Sequence, residues 1–135
     1  MSPLRQWLAD PARSGVYRAQ KEEAIVEALR GGSVDCVKLA LPAGKEAMLE
    51  RIARALAFPQ WFGGNWDALE DCLGDLSWRE GEGLALLFTE FTLDDELGIL
   101  IDVLRSSAEA WAQRGVRFHC VFVDPQGRLK LPELT

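Results

Sequence analysis

An unbroken run of apolar side chains, Leu84-Ala85-Leu86-Leu87-Phe88, sets the strongest constraint on how this chain folds. A strand that carries apolar residues on both faces has no face to give to water, so both sides of its sheet must be covered. Parallel strands need crossover connections, and crossover helices pack over the faces of the sheet. The run therefore predicts a central strand of an α/β fold.

Strand-like and helix-like patterns alternate on either side of this central strand. The connections between them predict right-handed crossovers and a parallel sheet of about three strands covered by helices. The long helix is predicted to begin at a weak capping box of Thr92 and Asp95 and to end at Gly115. A short returning strand is predicted around Leu129 and Leu131. The predicted strands are residues 33–41, 83–91 and 116–123, and the predicted helices are 45–57, 65–76 and 92–114.

The first 32 residues have a different pattern and are predicted to form an N-terminal extension. Residues 1–18 contain turn-forming residues and are predicted to be a loop or arm anchored by Trp7 and Tyr17. Residues 19–30 predict a short helix that Gly31-Gly32 ends. An alternative role for the extension is to cover an edge of the sheet. The predicted division is an extension at 1–32 and a single α/β domain at 33–135.

The charge of the chain is acidic and unevenly distributed. Fifteen Lys and Arg against 21 Asp and Glu give a net charge of −6, which disfavours nucleic acid as a direct ligand. Residues 61–102 hold eleven acids and one base, a net of −10, whereas the rest of the chain carries a net of +4. Such a field attracts cationic partners and weakens with added salt, although solvated surface charge explains it equally well.

No apolar stretch is long enough for a membrane span, and none resembles the apolar region of a secretory signal. Three widely spaced cysteines, Cys36, Cys72 and Cys120, fit reduced thiols, so we expect a cytoplasmic protein. The chain has one histidine and no C-x-x-C pair, so no metal site or cofactor is expected. His119 and Cys120 are strand neighbours and point to opposite faces, which predicts a surface histidine and a core cysteine and argues against a catalytic dyad.

The stretch Phe58–Leu73 carries the most functional information. Pro59 ends the preceding helix, Gly63-Gly64 permits close backbone approach, and Asn65 is a good N-cap for the helix that follows. Helical spacing gathers the apolar side chains on one face and the acids on the other. Capping alone could explain Asn65 and Asp67, and ordinary solvated charge could explain Asp71. The apolar face holds Trp66, Leu69, Cys72, Leu73 and Leu76, and the acidic face holds Asp67, Glu70, Asp71 and Asp75.

This stretch resembles the signature of the barstar family, intracellular inhibitors of barnase-type ribonucleases. The resemblance rests on Leu56-Ala57-Phe58-Pro59, Gly63, Asn65, Asp67-Ala68-Leu69 and Asp71-Cys72-Leu73. It implies an α/β inhibitor whose loop and acidic helix plug a ribonuclease active site, with residues 33–135 as the barstar-like domain. Asp71 would then occupy the place of a substrate phosphate, and Asp67 would meet a neighbouring basic residue. The implied contacts are Asp71, Asp67, Trp61, Asn65, Phe62, Gly63, Trp66 and Glu70.

The sequence departs from the family pattern at several of these positions. Trp61 and Phe62 replace two tyrosines, Glu70 replaces a tryptophan, and Ala110 replaces a glutamate of the well-known member. The inhibitor class survives these changes, but they leave the target ribonuclease open. The expected partner is a basic, extracellular-type ribonuclease bound by a monomeric inhibitor.

Two other functions compete with ribonuclease inhibition. The acids of one helix could hold Mg²⁺ for phosphoryl chemistry, but one convex helix encloses a metal poorly and no base lies beside it in sequence, so we expect no enzyme and no catalytic residues. The second alternative keeps the fold and changes the partner. It is a non-inhibitory binding module or antitoxin-like protein that captures another basic protein.

Overall fold

The computed structural model describes residues 3–59, 63–76 and 83–134. It has an α/β fold with one parallel sheet of four strands in the order β1-β4-β3-β2, where three strands were predicted. The strands are β1 (Gly15–Ala19), β2 (Asp35–Ala40), β3 (Gly83–Glu90) and β4 (Arg117–Val123). The helices are α1 (Pro3–Leu8), α2 (Glu22–Leu29), α3 (Lys45–Ala55), α4 (Trp66–Asp75) and α5 (Asp95–Gln113), with a 3-10 turn at Pro11–Arg13.

Both faces of β3 are covered, as its apolar run predicts. Leu84, Leu86 and Phe88 face a core that is closed by α3, α4 and α5. Ala85 and Leu87 face a second core, which is closed by α1 and α2. All five side chains are buried, so the strand lies between two layers of helices.

The prediction of a loop or arm at residues 1–18 is wrong for residues 3–8 and 15–18. Residues 3–8 form α1, and residues 15–19 form β1, which pairs in parallel with β4 along its whole length. β1 is short and begins with a glycine, and its pairing partner lies about 100 residues later, so the local pattern gave little signal. The alternative role as an edge cover is the one observed, since β1 pairs with the outer side of β4. The boundary at residue 32 stays a sequence prediction.

The two predicted aromatic anchors of the extension pack on this chain. Trp7 lies edge-on to Tyr17, with 5.8 Å between ring centroids. The Tyr17 hydroxyl donates a hydrogen bond to the carbonyl of Arg13 at 2.6 Å, and its side chain is buried. The ring contact attaches α1 to β1, and the hydrogen bond attaches the 3-10 turn to the same strand.

The predicted cap of α5 and the predicted strand around Leu129 and Leu131 are both corrected. The N-cap of α5 is Asp94, whose carboxylate accepts the amide of Leu97 at 2.9 Å, and not Thr92. Short acidic and hydroxyl side chains two residues apart are equally good caps, so sequence alone did not separate them. Residues 129–131 form no strand. An isolated parallel β-bridge forms slightly later in the chain, between Glu133 and Arg18 of β1.

The surface position predicted for His119 is also wrong, because α1 covers that face of β4. His119 is 0% exposed, and its Nε2–H donates to the carbonyl of Leu8 at 2.9 Å. Its Nδ1 is buried as well. Burial lowers the pKa of His119 from its ordinary value, so the neutral ring is favoured. Cys120 faces the opposite core as predicted, and burial raises the pKa of its thiol.

The burial of His119 predicts that stability depends on pH. Because the folded-state pKa is lowered, the unfolded chain binds a proton first as the pH falls below about 6.5, and the free energy of unfolding then decreases. His119→Gln keeps a donor for the Leu8 carbonyl and cannot take up that proton. Denaturant titrations between pH 8 and pH 5 should show a smaller loss of stability in His119→Gln than in wild type. Equal losses would contradict the assignment.

Candidate functional site

The acidic helix α4 starts where its sequence predicts. Gly64 has a φ of +70°, a backbone conformation that favours glycine, and Asn65 follows as the N-cap. The Asn65 side-chain oxygen accepts the amide of Ala68 at 2.7 Å. At the other end Leu76 has a left-handed backbone, and its amide donates to the carbonyl of Cys72 at 3.1 Å. These two caps define the ten residues of α4.

The two faces of α4 divide as the helical spacing predicts. Leu69, Cys72 and Leu73 are 0% exposed and pack into the protein. The opposite face carries four exposed carboxylates. Trp66 is half-buried and packs against the core. The exposed acids are Asp67, Glu70, Asp71 and Asp75.

The charges of Asp67 and Asp71 are not neutralised by neighbouring bases in the described part of the chain. No lysine or arginine within residues 3–59, 63–76 and 83–134 forms an ion pair with either carboxylate. Glu70 differs, because its Oε1 accepts the hydroxyl of Ser106 on α5 at 3.3 Å. With respect to the described part of the chain, Asp67 and Asp71 are therefore available to a cationic group from outside.

The other predicted contact residues lie at the start of α4 or outside the described residues. Gly63 and Asn65 are exposed just before the helix. Trp61 and Phe62 fall outside the residues that the structure describes, so their predicted contacts stay sequence predictions. The structure thus brings Gly63, Asn65 and the acids of α4 onto one continuous segment.

α5 supports α4 through contacts that the sequence analysis missed. The Trp111 indole N–H donates to the carbonyl of Leu73 at 2.7 Å, and the Arg114 guanidinium donates to the carbonyl of Gly74 at 3.3 Å. The apolar stripe of α5 indicated only that Trp111 faces the core. A half-buried indole usually finds a hydrogen-bond partner, but sequence does not indicate which carbonyl it reaches.

The arrangement suits recognition of cations. Carboxylates accept charge-assisted hydrogen bonds from guanidinium and ammonium groups, and these bonds are stronger than neutral ones. Among the residues that the structure describes, no group of three or more His, Cys, Asp or Glu side chains is arranged to hold a metal ion. In the same residues, no helix combines the length and apolar character that a membrane span requires.

One comparison with known proteins gives a match. A family model described as Barstar (barnase inhibitor) matches residues 34–123, which is more than half of the chain. The match begins one residue before β2 and ends with the last residue of β4, so it includes α4 and α5. No curated protein and no solved structure matches the chain.

The cap of α4 gives a prediction about stability. Asn65→Ala removes the acceptor for the Ala68 amide and should lower the free energy of unfolding by about 1 kcal/mol. Asn65→Asp keeps an acceptor of similar length and should retain most of that stability. Urea denaturation of the three proteins measures both effects. Equal stability of Asn65→Ala and wild type would show that the bond contributes nothing in solution.

Proposed function

The chain belongs to the barstar family, and on that premise we propose that it inhibits a barnase-like ribonuclease with α4 and the loop that precedes it. The observation that carries the proposal is the exposure of Asp67 and Asp71, without bases from the described residues, on a helix whose opposite face is buried at Leu69, Cys72 and Leu73. The family model's description as a barnase inhibitor supports the same function.

The chemistry of a ribonuclease explains why such a helix would inhibit it. The enzyme must present cationic side chains to the phosphate of its substrate, and carboxylates satisfy the same hydrogen-bond donors. A carboxylate of this inhibitor offers no phosphodiester bond to cleave, so the enzyme stays blocked. We assign Asp71 to the position of the substrate phosphate and Asp67 to a neighbouring basic residue.

The remaining contacts follow from their positions around these two acids. Glu70 adds a third exposed carboxylate, and Trp66 adds a half-buried aromatic surface beside it. Gly63 and Asn65 place backbone close to the partner at the start of the helix, and Trp61 and Phe62 extend the contact into the preceding loop. Aromatic side chains next to charged anchors are typical of the centre of a protein interface.

The net charge of residues 61–102 adds long-range attraction to these contacts. A cationic ribonuclease would be steered toward this region, and its association rate would fall as salt is added. The proposed inhibitor is a cytoplasmic monomer and acts by occlusion, without catalytic residues or a cofactor. The three free thiols fit a reducing compartment.

The direct test is inhibition of a panel of ribonucleases. We expect inhibition of at least one barnase-like ribonuclease by micromolar or lower concentrations of this protein, and none of structurally unrelated ribonucleases. Cleavage of a fluorogenic RNA substrate measures it, with salt varied to detect the expected electrostatic dependence. If no enzyme of the panel is inhibited, the proposal is wrong, and a module that captures another basic protein becomes the better interpretation.

Asp71→Ala tests the assignment of the central contact. The substitution lies on an exposed face, so the free energy of unfolding should change little. Binding to the inhibited ribonuclease should weaken by about 2–5 kcal/mol, because cationic groups of the enzyme are left buried without a partner. Glu46→Ala removes the same charge from the exposed face of α3 and serves as the matched control. Calorimetric affinities that are equal for Asp71→Ala and Glu46→Ala would remove Asp71 from the interface.

A further inference from the structure

Three contacts join α4 to α5 and to Arg114, the residue that directly follows α5, and we call them the α4–α5 seam. They are Glu70 to Ser106, Leu73 to Trp111 and Gly74 to Arg114. Later residues of α4 contact later residues of α5, so the two helices run in the same direction. The last two contacts lie in the final turn of α4, where backbone carbonyls have no partner within the helix.

These two contacts hold the end of α4 in a defined position. The indole of Trp111 and the guanidinium of Arg114 each donate to a backbone carbonyl. These bonds therefore constrain the backbone of α4 itself and not only one of its side chains. The guanidinium of Arg114 also lies over the Trp111 ring, 4.6 Å from its centroid, and the two side chains support each other. Sliding or rotating α4 would break both hydrogen bonds.

We propose that Trp111 and Arg114 are positioning residues of the partner-binding surface. They fix the axial position and rotation of α4, and so hold Asp67 and Asp71 in their binding geometry before a partner arrives. This inference rests on the proposed function of that surface. Asp71 lies about one turn before Gly74, and Asp67 about two turns before it.

The proposal explains how carboxylates at the surface can be ordered in the free protein. An acid on a helix that shifts against its neighbours must be ordered during binding, which reduces affinity. The seam restricts that motion through groups that lie at the opposite end of α4 from its N-cap. Neither Trp111 nor Arg114 needs to touch the partner for this effect.

The direction of the affinity change in one variant distinguishes a positioning role from a simple effect of charge. Arg114 is a cation next to an acidic surface, so by charge alone its removal would strengthen binding of a cationic ribonuclease. If Arg114 positions α4, Arg114→Ala weakens binding instead. Arg105→Ala is the matched control, because Arg105 is an exposed cation on the same helix that pairs with Asp102 within α5.

Trp111→Phe tests the other half of the seam. The substitution keeps an aromatic ring, but it removes the indole N–H that reaches Leu73 together with part of the ring surface. Trp7→Phe is its control, since Trp7 packs on Tyr17 in the other helical layer, away from α4. Any general effect of exchanging tryptophan for phenylalanine appears in both variants.

The experiment combines two measurements on these four variants of the full chain. Hydrogen exchange of the amides of residues 69–76, in the free protein, reports the order of α4. The dissociation constant of the ribonuclease that the panel identifies reports binding. We expect faster exchange in Trp111→Phe and Arg114→Ala, and affinities weaker by about fivefold, as the loss of one hydrogen bond would give. The control variants should match wild type in exchange, and neither should bind more weakly.

A double substitution tests whether Trp111 affects binding by positioning the acids of α4. In the Asp71→Ala background, Trp111→Phe should weaken binding by less than it does in wild type, because one of the positioned groups is gone. Undiminished loss in that background would overturn the positioning role. So would unchanged exchange of α4 in both seam variants, or wild-type affinity despite faster exchange.

The failure of the proposed function would look different. If the wild-type protein inhibits no ribonuclease of the panel, the proposed function fails, and hydrogen exchange alone then decides whether the seam orders α4. Unchanged exchange overturns the inference in that case as well, and faster exchange in both seam variants supports it.

Discussion

Covering both faces of β3 is the requirement on which the rest of the structure depends. The run Leu84–Phe88 leaves no side of the strand for water. Helices α3, α4 and α5 cover one face, and α1 and α2 cover the other. α4 is thus held by Leu69 and Leu73, which are fully buried. Because packing stabilises the helix from behind, its front face can carry groups that do nothing for stability.

The proposed interface uses this front face of α4, which carries acids that are not needed for stability. Asp67, Glu70 and Asp71 lie within two turns of one helix, and like charges at this spacing destabilise a helix by a few tenths of a kcal/mol per pair. Only Glu70 has a hydrogen-bond partner among the described residues, the hydroxyl of Ser106. The repulsion between these carboxylates would be relieved by a cationic partner. Surfaces that are selected for binding often carry such a cost in stability.

Local sequence patterns predicted most of α4 and its surroundings correctly, because their causes are local. The Asn65 cap, the burial of Leu69 and the exposure of Asp71 all follow from the spacing of residues within one helix. Apart from the cap of α5, the main errors concern contacts between distant parts of the chain. β1 depends on pairing with β4, and the burial of His119 depends on α1 lying over it. The bond from Trp111 to the Leu73 carbonyl is similar, since no periodicity encodes which backbone atom a side chain reaches.

The pairing of β1 with β4 affects how the protein can fold while it is synthesised on the ribosome. Residues 15–19 emerge early, but their partners at 119–123 are synthesised about 100 residues later. Until then the first strand has no neighbour to bond with, and the apolar side chains of α1 and α2 lack the part of the sheet that β4 supplies. Contacts so far apart in sequence form slowly, and exposed strand edges invite association between nascent chains. The N-terminal layer is therefore translated first, but it cannot complete its contacts with the sheet until β4 has been synthesised.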